Sequence, residues 1–360
     1  MNTLFSFYPT GKTYASADWS HIGRPSDIQL SRNRGWIQQI TPPKLKNYKP
    51  ELGWPKTREP QNHLDHIANC IQSYIRSDNP DLLCFSYKDH SLAERLKVNK
   101  IQTVFDDSNS LSGVMYEDYP ESTSILKIFP HSSVFDLIIC RHYIEHIDDL
   151  EAIFSDLRSL TKPEGIIYLE VPDCSIFIER KNPLMLWEQH RHYFTVDDLK
   201  TCLSLYNFKI EYLFIADCPI EPSICLLIRP CEPRLESSIK ENHVQRTQQG
   251  LPDFTPYIQR STQLIYALSG SIALFGAGHN ADRFLQLTNT YPEISTIYDA
   301  SKSRRGRYLY GTNTPITDDI RALAKNKNII LATHPRDKIN IMTLLDREGI
   351  TAITFDMFSL

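Results

Sequence analysis

The 360-residue chain has eight cysteines, at 70, 84, 140, 174, 202, 218, 225 and 231, yet no Cys-x-x-Cys pair. Scattered thiols do not have the spacing of a zinc site. Cys84, Cys140 and Cys225 stand inside apolar, strand-like runs, so buried reduced thiols in a cytoplasmic protein are expected. Long hydrophobic runs are missing too. The longest, such as 220–228, are strand-length and interrupted by proline, well short of a membrane span. The first residues, MNTLFSFYPTGKTYASADW, lack a charged segment followed by an apolar one, so no signal peptide is expected. There is no basic excess either: 39 Lys and Arg against 43 Asp and Glu give a formal charge of -4, which disfavours nucleic acid as a partner. What remains, 41% hydrophobic and 23% charged residues, is the composition of an ordinary globular protein with room for two or three domains.

The pattern divides the chain into four stretches. Residues 1–60 are rich in proline, glycine and aromatics with little periodicity, which predicts an irregular or β-rich module. Residues 61–230 alternate helical and strand-like segments, the signature of a parallel sheet flanked by helices. Residues 231–256 are polar and read as a linker. A second alternating stretch, 257–360, predicts a smaller α/β sheet.

The segment from Phe135 to Thr195 is the most informative. Phe135 to Cys140 reads as a strand, Arg141-His142-Tyr143 as a polar turn, and about Glu145 to Leu160 as an amphipathic helix. A Lys-Pro-Glu-Gly turn and a second strand, Ile166 to Val171, follow. Polar residues thus gather at the carboxyl ends of parallel strands, where open α/β sheets bind ligands. The residues Asp136, Ile138, Glu145, His146, Ile147, Asp149, Lys162, Pro163, Gly165, Pro172 and Asp173 resemble the second half of a class I S-adenosylmethionine-dependent methyltransferase. That resemblance implies a Rossmann-like fold and S-adenosylmethionine as cofactor.

In that family a glycine-rich turn follows the first strand and an acidic residue ends the second. Glycine lets the backbone approach the cofactor, and the carboxylate accepts hydrogen bonds from the ribose. Here the first strand and turn read DLLCFSYKDHSLAERL. Asp89, Ser91 and Leu92 fit the family pattern. Ser86 and His90 stand where glycines are usual, and Cys84 replaces an acidic residue. If His90 kept the glycine's positive φ it would be strained. The resemblance makes Ser86, Tyr87, Asp89, Asp106, Asp107, Arg141 and His142 the candidate cofactor-binding residues, with Asp106 on the ribose.

The stretch PLMLWEQHRHYFT resembles the segment after the fifth strand in sugar C-methyltransferases, which act on nucleotide-linked deoxyketosugars. The histidine at the position of His190 is placed there to act as a base, a role suited to imidazole because its pKa lies near working pH. His190 is accordingly the expected base, with Tyr143 and Trp187 shaping the pocket for a small acceptor. Residues 271–316 are similar to the C-terminal Rossmann-like domain of the same family through Gly276, Gly278, Asp299, Gly306, Arg307, Tyr308, Gly311, Thr312, Pro315 and Ile316. In relatives that domain helps enclose the acceptor, and the cluster Lys302, Arg304, Arg305 and Arg307 is a candidate phosphate contact. The N-terminal module resembles the family's small zinc-binding unit only faintly. Ser31 and Arg34 stand where cysteines would, so no metal is expected and Tyr14, Trp19, Trp36 and Trp54 must hold the module by packing.

Two functions of different class follow. One is a methyltransferase acting on a small polar acceptor. The other is a non-catalytic protein of the same fold that binds a ligand or partner enzyme, motivated by the lost glycines and thiolate ligands. An NAD-dependent enzyme using Gly276 to Gly278 is a weaker third, since no third glycine follows at the fingerprint spacing.

Overall fold

The computed structural model describes residues 4–8, 12–19, 22, 25–32, 34–40, 61–86, 89–105, 135–217, 222–232, 250–333 and 337–358. Near the N-terminus, β1 (Leu4–Phe7), β2 (Ser26–Ser31) and β3 (Ile37–Gln39) form an antiparallel sheet. The central sheet contains β4 (Asp81–Ser86), β5 (Lys100–Phe105), β6 (Phe135–Arg141) and β7 (Thr161–Pro172), all parallel. The two-residue strand β8 (His192–Tyr193) pairs with β3 and completes the first sheet, so that sheet is built from two distant parts of the chain. Strands β9 (Phe208–Asp217) and β10 (Pro222–Pro230) close the central sheet in the order β5-β4-β6-β7-β10-β9, with β10 antiparallel to both neighbours.

Strands buried on both faces read as continuous apolar runs, and their side chains alternate between the two sides. Leu83, Phe85, Ile138 and Cys140 face one core, with Phe154 and Leu157 of α3 (Leu150–Leu160). Leu82, Cys84, Leu137 and Ile139 face the other, with Leu64, Ile67 and Ile71 of α1 (Gln61–Tyr74) and Leu92 of α2 (His90–Ala93). The first core also takes in Trp36, fully buried, and Leu199 and Cys202 of α5 (Val196–Leu205); the short α4 (Ser175–Glu179) precedes them in the chain. Aromatic packing is therefore present in the N-terminal module: Trp36 lies in this core and Tyr14 meets Trp19 edge-on at 5.4 Å. Trp54 lies outside the described residues.

A third sheet follows α6 (Thr255–Ala267). Its strands β11 (Ile272–Phe275), β12 (Ile294–Tyr298), β13 (Ile316–Thr317), β14 (Asn328–Leu331) and β15 (Ile353–Asp356) run parallel in the order β13-β12-β11-β14-β15, with α7 (His279–Thr288) and α8 (Lys338–Arg347) among the connections. The mixed α/β class and the Rossmann-like sheet agree with the sequence reading. Among the described residues no helix is long and apolar enough to cross a membrane, and none of the cysteines is bridged.

Two local expectations need correction. The helix expected from about Glu145 starts only at Leu150. Residues 144–146 make a single 3₁₀ turn, Ile147 is extended, and the carbonyl of Ile147 accepts a hydrogen bond from His192 Nε2 at 2.7 Å. Asp149 then caps α3 by accepting from Ala152 N at 3.0 Å. The Lys-Pro-Glu-Gly segment, expected as a turn, lies within β7, because Thr161 Oγ1 ends α3 on the Leu157 carbonyl and the chain pairs at once with Phe135.

Thr195 caps α5 as expected and forms a full capping box with Asp198, whose other oxygen accepts from Arg32 Nη1 at 3.2 Å. Thr195→Ala should cost about 1 kcal/mol in denaturant unfolding. A change within the error of the midpoint would show that the cap contributes nothing.

Candidate active site

Between β4 and β6 the strand order reverses direction, since β5 lies on one side of β4 and β6 on the other. Ligands of open α/β sheets bind in the crevice at the carboxyl ends of such a pair. The edge is formed by the turn after β4 and by the end of β6. Tyr87, Asp106 and Asp107 lie outside the described residues. Ser86 is buried and its N–H donates to Asp89 Oδ2 at 2.9 Å, which folds the Asp89 carboxylate back beneath the turn. His90 is the first residue of α2 and is not among the described residues with positive φ. The strain expected there is therefore absent. Its Nε2 lies 2.9 Å from Thr103 Oγ1, two residues short of the end of β5, so the ring is drawn onto the sheet rather than across its edge.

Strain occurs instead at His142, with φ +48° at the exit from β6. Left-handed backbone at a non-glycine costs roughly 1–2 kcal/mol and persists only where surrounding bonds enforce it. Here Glu170 of β7 does so. Its backbone carbonyl accepts from His142 N at 2.8 Å, and its carboxylate accepts from Arg141 Nε at 2.7 Å and Tyr168 Oη at 2.9 Å. His142 Nε2 is 3.2 Å and His63 Nε2 3.4 Å from Glu170 Oε1. Burial alone would raise the Glu170 carboxyl; the adjacent Arg141 guanidinium outweighs that and holds it well below the usual carboxylate range. Burial would likewise lower His142, but its contacts with Glu145 and Glu170 lift it to about 10, so it is an imidazolium at neutral pH. Arg141 is thus engaged with its neighbouring strand.

Beside His142 the segment 187–193 brings in His190. Three bonds tie it to the turn after β6: Arg191 N to the Glu145 carbonyl at 2.6 Å, His146 Nδ1 to the Gln189 carbonyl at 3.0 Å, and His192 Nε2 to Ile147. Three more tie it to the first sheet: Trp36 Nε1 to His192 Nδ1 at 3.1 Å, Gln39 Nε2 to the Trp187 carbonyl at 2.9 Å, and Gln39 N to the Arg191 carbonyl at 2.9 Å. His190 is 4% exposed; burial first, then neighbouring positive groups, push its pKa well below the ordinary histidine value, so its ring is neutral. It meets His146 edge-on at 4.9 Å and Trp187 at 5.0 Å between ring centroids. The carboxylate of Glu145 is buried with them; its Oε1 is 3.8 Å from His146 Nε2 and 3.6 Å from His142 Nδ1, while Oε2 has no hydrogen-bond partner among the described residues.

The third sheet reaches the same place. His279, opening α7, lies 4.6 Å from the half-buried Trp187 ring, which also meets His190. Arg283, one helical turn on, is fully buried against Glu188 at 2.8 Å and over the Phe7 ring at 3.9 Å. Of the basic cluster, Arg304 bonds Asp299, Arg305 pairs with Asp318 and Arg307 bonds Thr13, so these cations serve internal contacts. Tyr143, expected at the acceptor, is 5% exposed and packs edge-on against Phe85 at 5.0 Å, within the core on that side of the sheet.

The arrangement thus joins His190 and Trp187 with Glu145 and His146, while Ser86 and Asp89 stand at the end of β4 and in the turn after it. Glu170 and His279 were missed by sequence reasoning. A glutamate in the middle of the apolar run IIYLEVP was the available signal, since a buried charge demands a partner.

A Rossmann-like sheet with a polar site at its switch point defines the class. A family model described as a methyltransferase domain matches residues 10–213, more than half of the chain, which therefore belongs to that family, a class I fold whose methyl donor is S-adenosylmethionine. No curated protein matches. Among solved structures, the chain is similar to the Burkholderia thailandensis 1,6-didemethyltoxoflavin-N1-methyltransferase, solved with 1,6-didemethyltoxoflavin and S-adenosylhomocysteine, at 11% identity over 48% of this chain and 78% of that one, TM-score 0.33. It is also similar to S-adenosylmethionine-dependent methyltransferases from Methanosarcina mazei (14% identity, 45% and 98% covered, TM-score 0.31) and Mesorhizobium loti (13%, 46% and 99%, 0.33).

The described residues fit such a donor. Ser86 is small and in strand conformation, His90 is turned away from the edge, and the carboxylates of Asp89 and Glu145 near the crevice suit a cationic sulfonium.

Proposed function

We propose that the chain transfers a methyl group from S-adenosylmethionine to a small polar acceptor, a nucleotide-linked sugar being the class implied by the resemblance in residues 135–195 and 271–316. The turn Ser86–Asp89, with Asp106, Asp107 and the His142 edge, holds the donor. When bound, the donor supplies an electrophilic methyl group on a sulfur that is already a good leaving group. The protein must align the acceptor and draw off its proton. The observation that carries this reading is the cluster of Glu145, His146 and His190, with a neutral buried imidazole at the carboxyl edge of β6. His190 foremost draws the proton away. Trp187 and His279 flank the acceptor, the latter with a buried Nδ1 that has no hydrogen-bond partner among the described residues, and Tyr143 supports the wall from the core. Residues 1–60, 61–230 and 257–360 then act as three domains around one pocket, with 231–256 as linker. The unbridged buried thiols support a cytoplasmic setting.

Calorimetric titration of the full chain with S-adenosylmethionine tests the reading. Saturable heat is expected, followed by release of the demethylated cofactor on adding a nucleotide-linked deoxyketosugar. Absence of heat at millimolar donor would overturn it and favour the non-catalytic alternative.

A further inference from the structure

We infer that Glu145, His146 and His190 form a site for a first-row divalent transition metal ion at the acceptor side of the pocket. The inference deepens the reading above and rests on it for the position of the acceptor. The sequence alone predicts no metal in the chain, on the grounds of cysteine spacing and the N-terminal module; this cluster is elsewhere and uses no thiol. One ligand atom from each of the three residues lies within 4.8 Å of the other two. An ion holding each at about 2.0–2.2 Å in tetrahedral geometry sets them about 3.3–3.6 Å apart, a contraction of at most about 1.5 Å that side-chain rotation can supply.

Two histidines and one carboxylate make a donor set of imidazole and oxygen that leaves coordination positions open for a substrate. Two features point to a ligand rather than to packing. Glu145 is 1% exposed, yet its Oε2 has no hydrogen-bond partner among the described residues, a costly state for a buried carboxylate oxygen. His146 bonds the Gln189 carbonyl through Nδ1. A carbonyl only accepts, so Nδ1 carries the proton and the lone pair is on Nε2, the nitrogen directed at Glu145. A ring nitrogen anchored on a backbone carbonyl is how proteins orient metal-binding imidazoles. His190 supplies the second imidazole, with a ring nitrogen inside the same cluster of ligand atoms.

An ion here would take the acceptor oxygen into its open position and lower that group's pKa, so the proton leaves to solvent or a neighbouring base. His190 would then act as a ligand, and Lewis-acid activation would replace direct proton abstraction by its ring.

The test uses full-length, untagged protein stripped with EDTA, dialysed, and titrated with CoCl₂ while visible absorption is recorded. A single equivalent is expected to saturate the spectrum. Affinity should fall about tenfold or more in Glu145→Gln and in His146→Gln, each checked for folding by thermal unfolding. His63→Gln, at the separate grouping of His63, Glu170 and Cys225, should leave affinity unchanged. Failure to bind at millimolar cobalt, indifference to both ligand substitutions, or loss only in His63→Gln overturns the inference. Should both ligand variants fail to fold, X-ray absorption at the cobalt edge of the unaltered protein decides: two imidazoles are expected, and any other count, or sulfur, rejects the site. S-adenosylmethionine titration on the same samples separates the two claims. Donor binding without cobalt binding removes the metal and returns His190 to the role of base. Cobalt binding without donor binding removes the methyltransferase reading.

Discussion

His190→Ala is expected to lower turnover about 100- to 10,000-fold, the range lost with a general acid–base group, while affinity for S-adenosylmethionine stays within a few-fold. The separation follows from geometry. His190 belongs to the segment that crosses from Trp187 to Tyr193 and touches His146 and Trp187. The proposed donor crevice is bounded by the turn after β4 and the exit of β6, where Ser86 N donates to Asp89 Oδ2. Single-turnover rates and donor titrations on the same preparation measure both quantities. A variant that loses donor affinity in proportion to its rate would take His190 out of proton removal and make it a scaffold residue.

Glu170→Gln should destabilise the fold by about 3 kcal/mol or more, because it strips the counter-charge from a buried guanidinium. Arg141 is 1% exposed and its Nε has Glu170 Oε2 at 2.7 Å; His142, Tyr168 and His63 converge on the same carboxylate. The amide keeps the size of the side chain but removes the charge and replaces an acceptor oxygen with a donor that faces other donors. Urea unfolding checks the loss, and a change below about 1 kcal/mol, the range of exposed pairs, would show that Arg141 is compensated elsewhere. Because Glu170 also enforces the left-handed turn at His142, the variant's remaining folded fraction should bind donor less tightly.

Much of the architecture was legible from pattern alone. The alternation of apolar strands and amphipathic helices between residues 61 and 230, and again after 257, marks parallel sheets because such strands are buried on both faces. The Thr195 cap was legible from the order of residues in one segment, the same segment that makes His190 and Trp187 site candidates. A histidine with a glycine's positive φ would be strained, and the chain avoids this by opening α2 at His90, which pattern alone did not show. Tyr143, expected to shape the pocket, packs its ring against Phe85 in the core, a contact that only the tertiary structure shows.

Sequence by itself determined the class of fold, because periodicity and local motifs are written into short stretches of chain; the switch-point edge and His190 are the site it proposes. Only the tertiary structure decided that Glu145, His146 and His190 share one cluster, that Glu170 clamps Arg141 and His142, and that His279 closes on Trp187. Those contacts join residues far apart along the chain, through a strand pairing between β3 and β8 and the approach of His279, at the start of α7, to Trp187. Charges and imidazoles acquire their protonation states from what surrounds them in space, and that is settled only once distant segments are buried together.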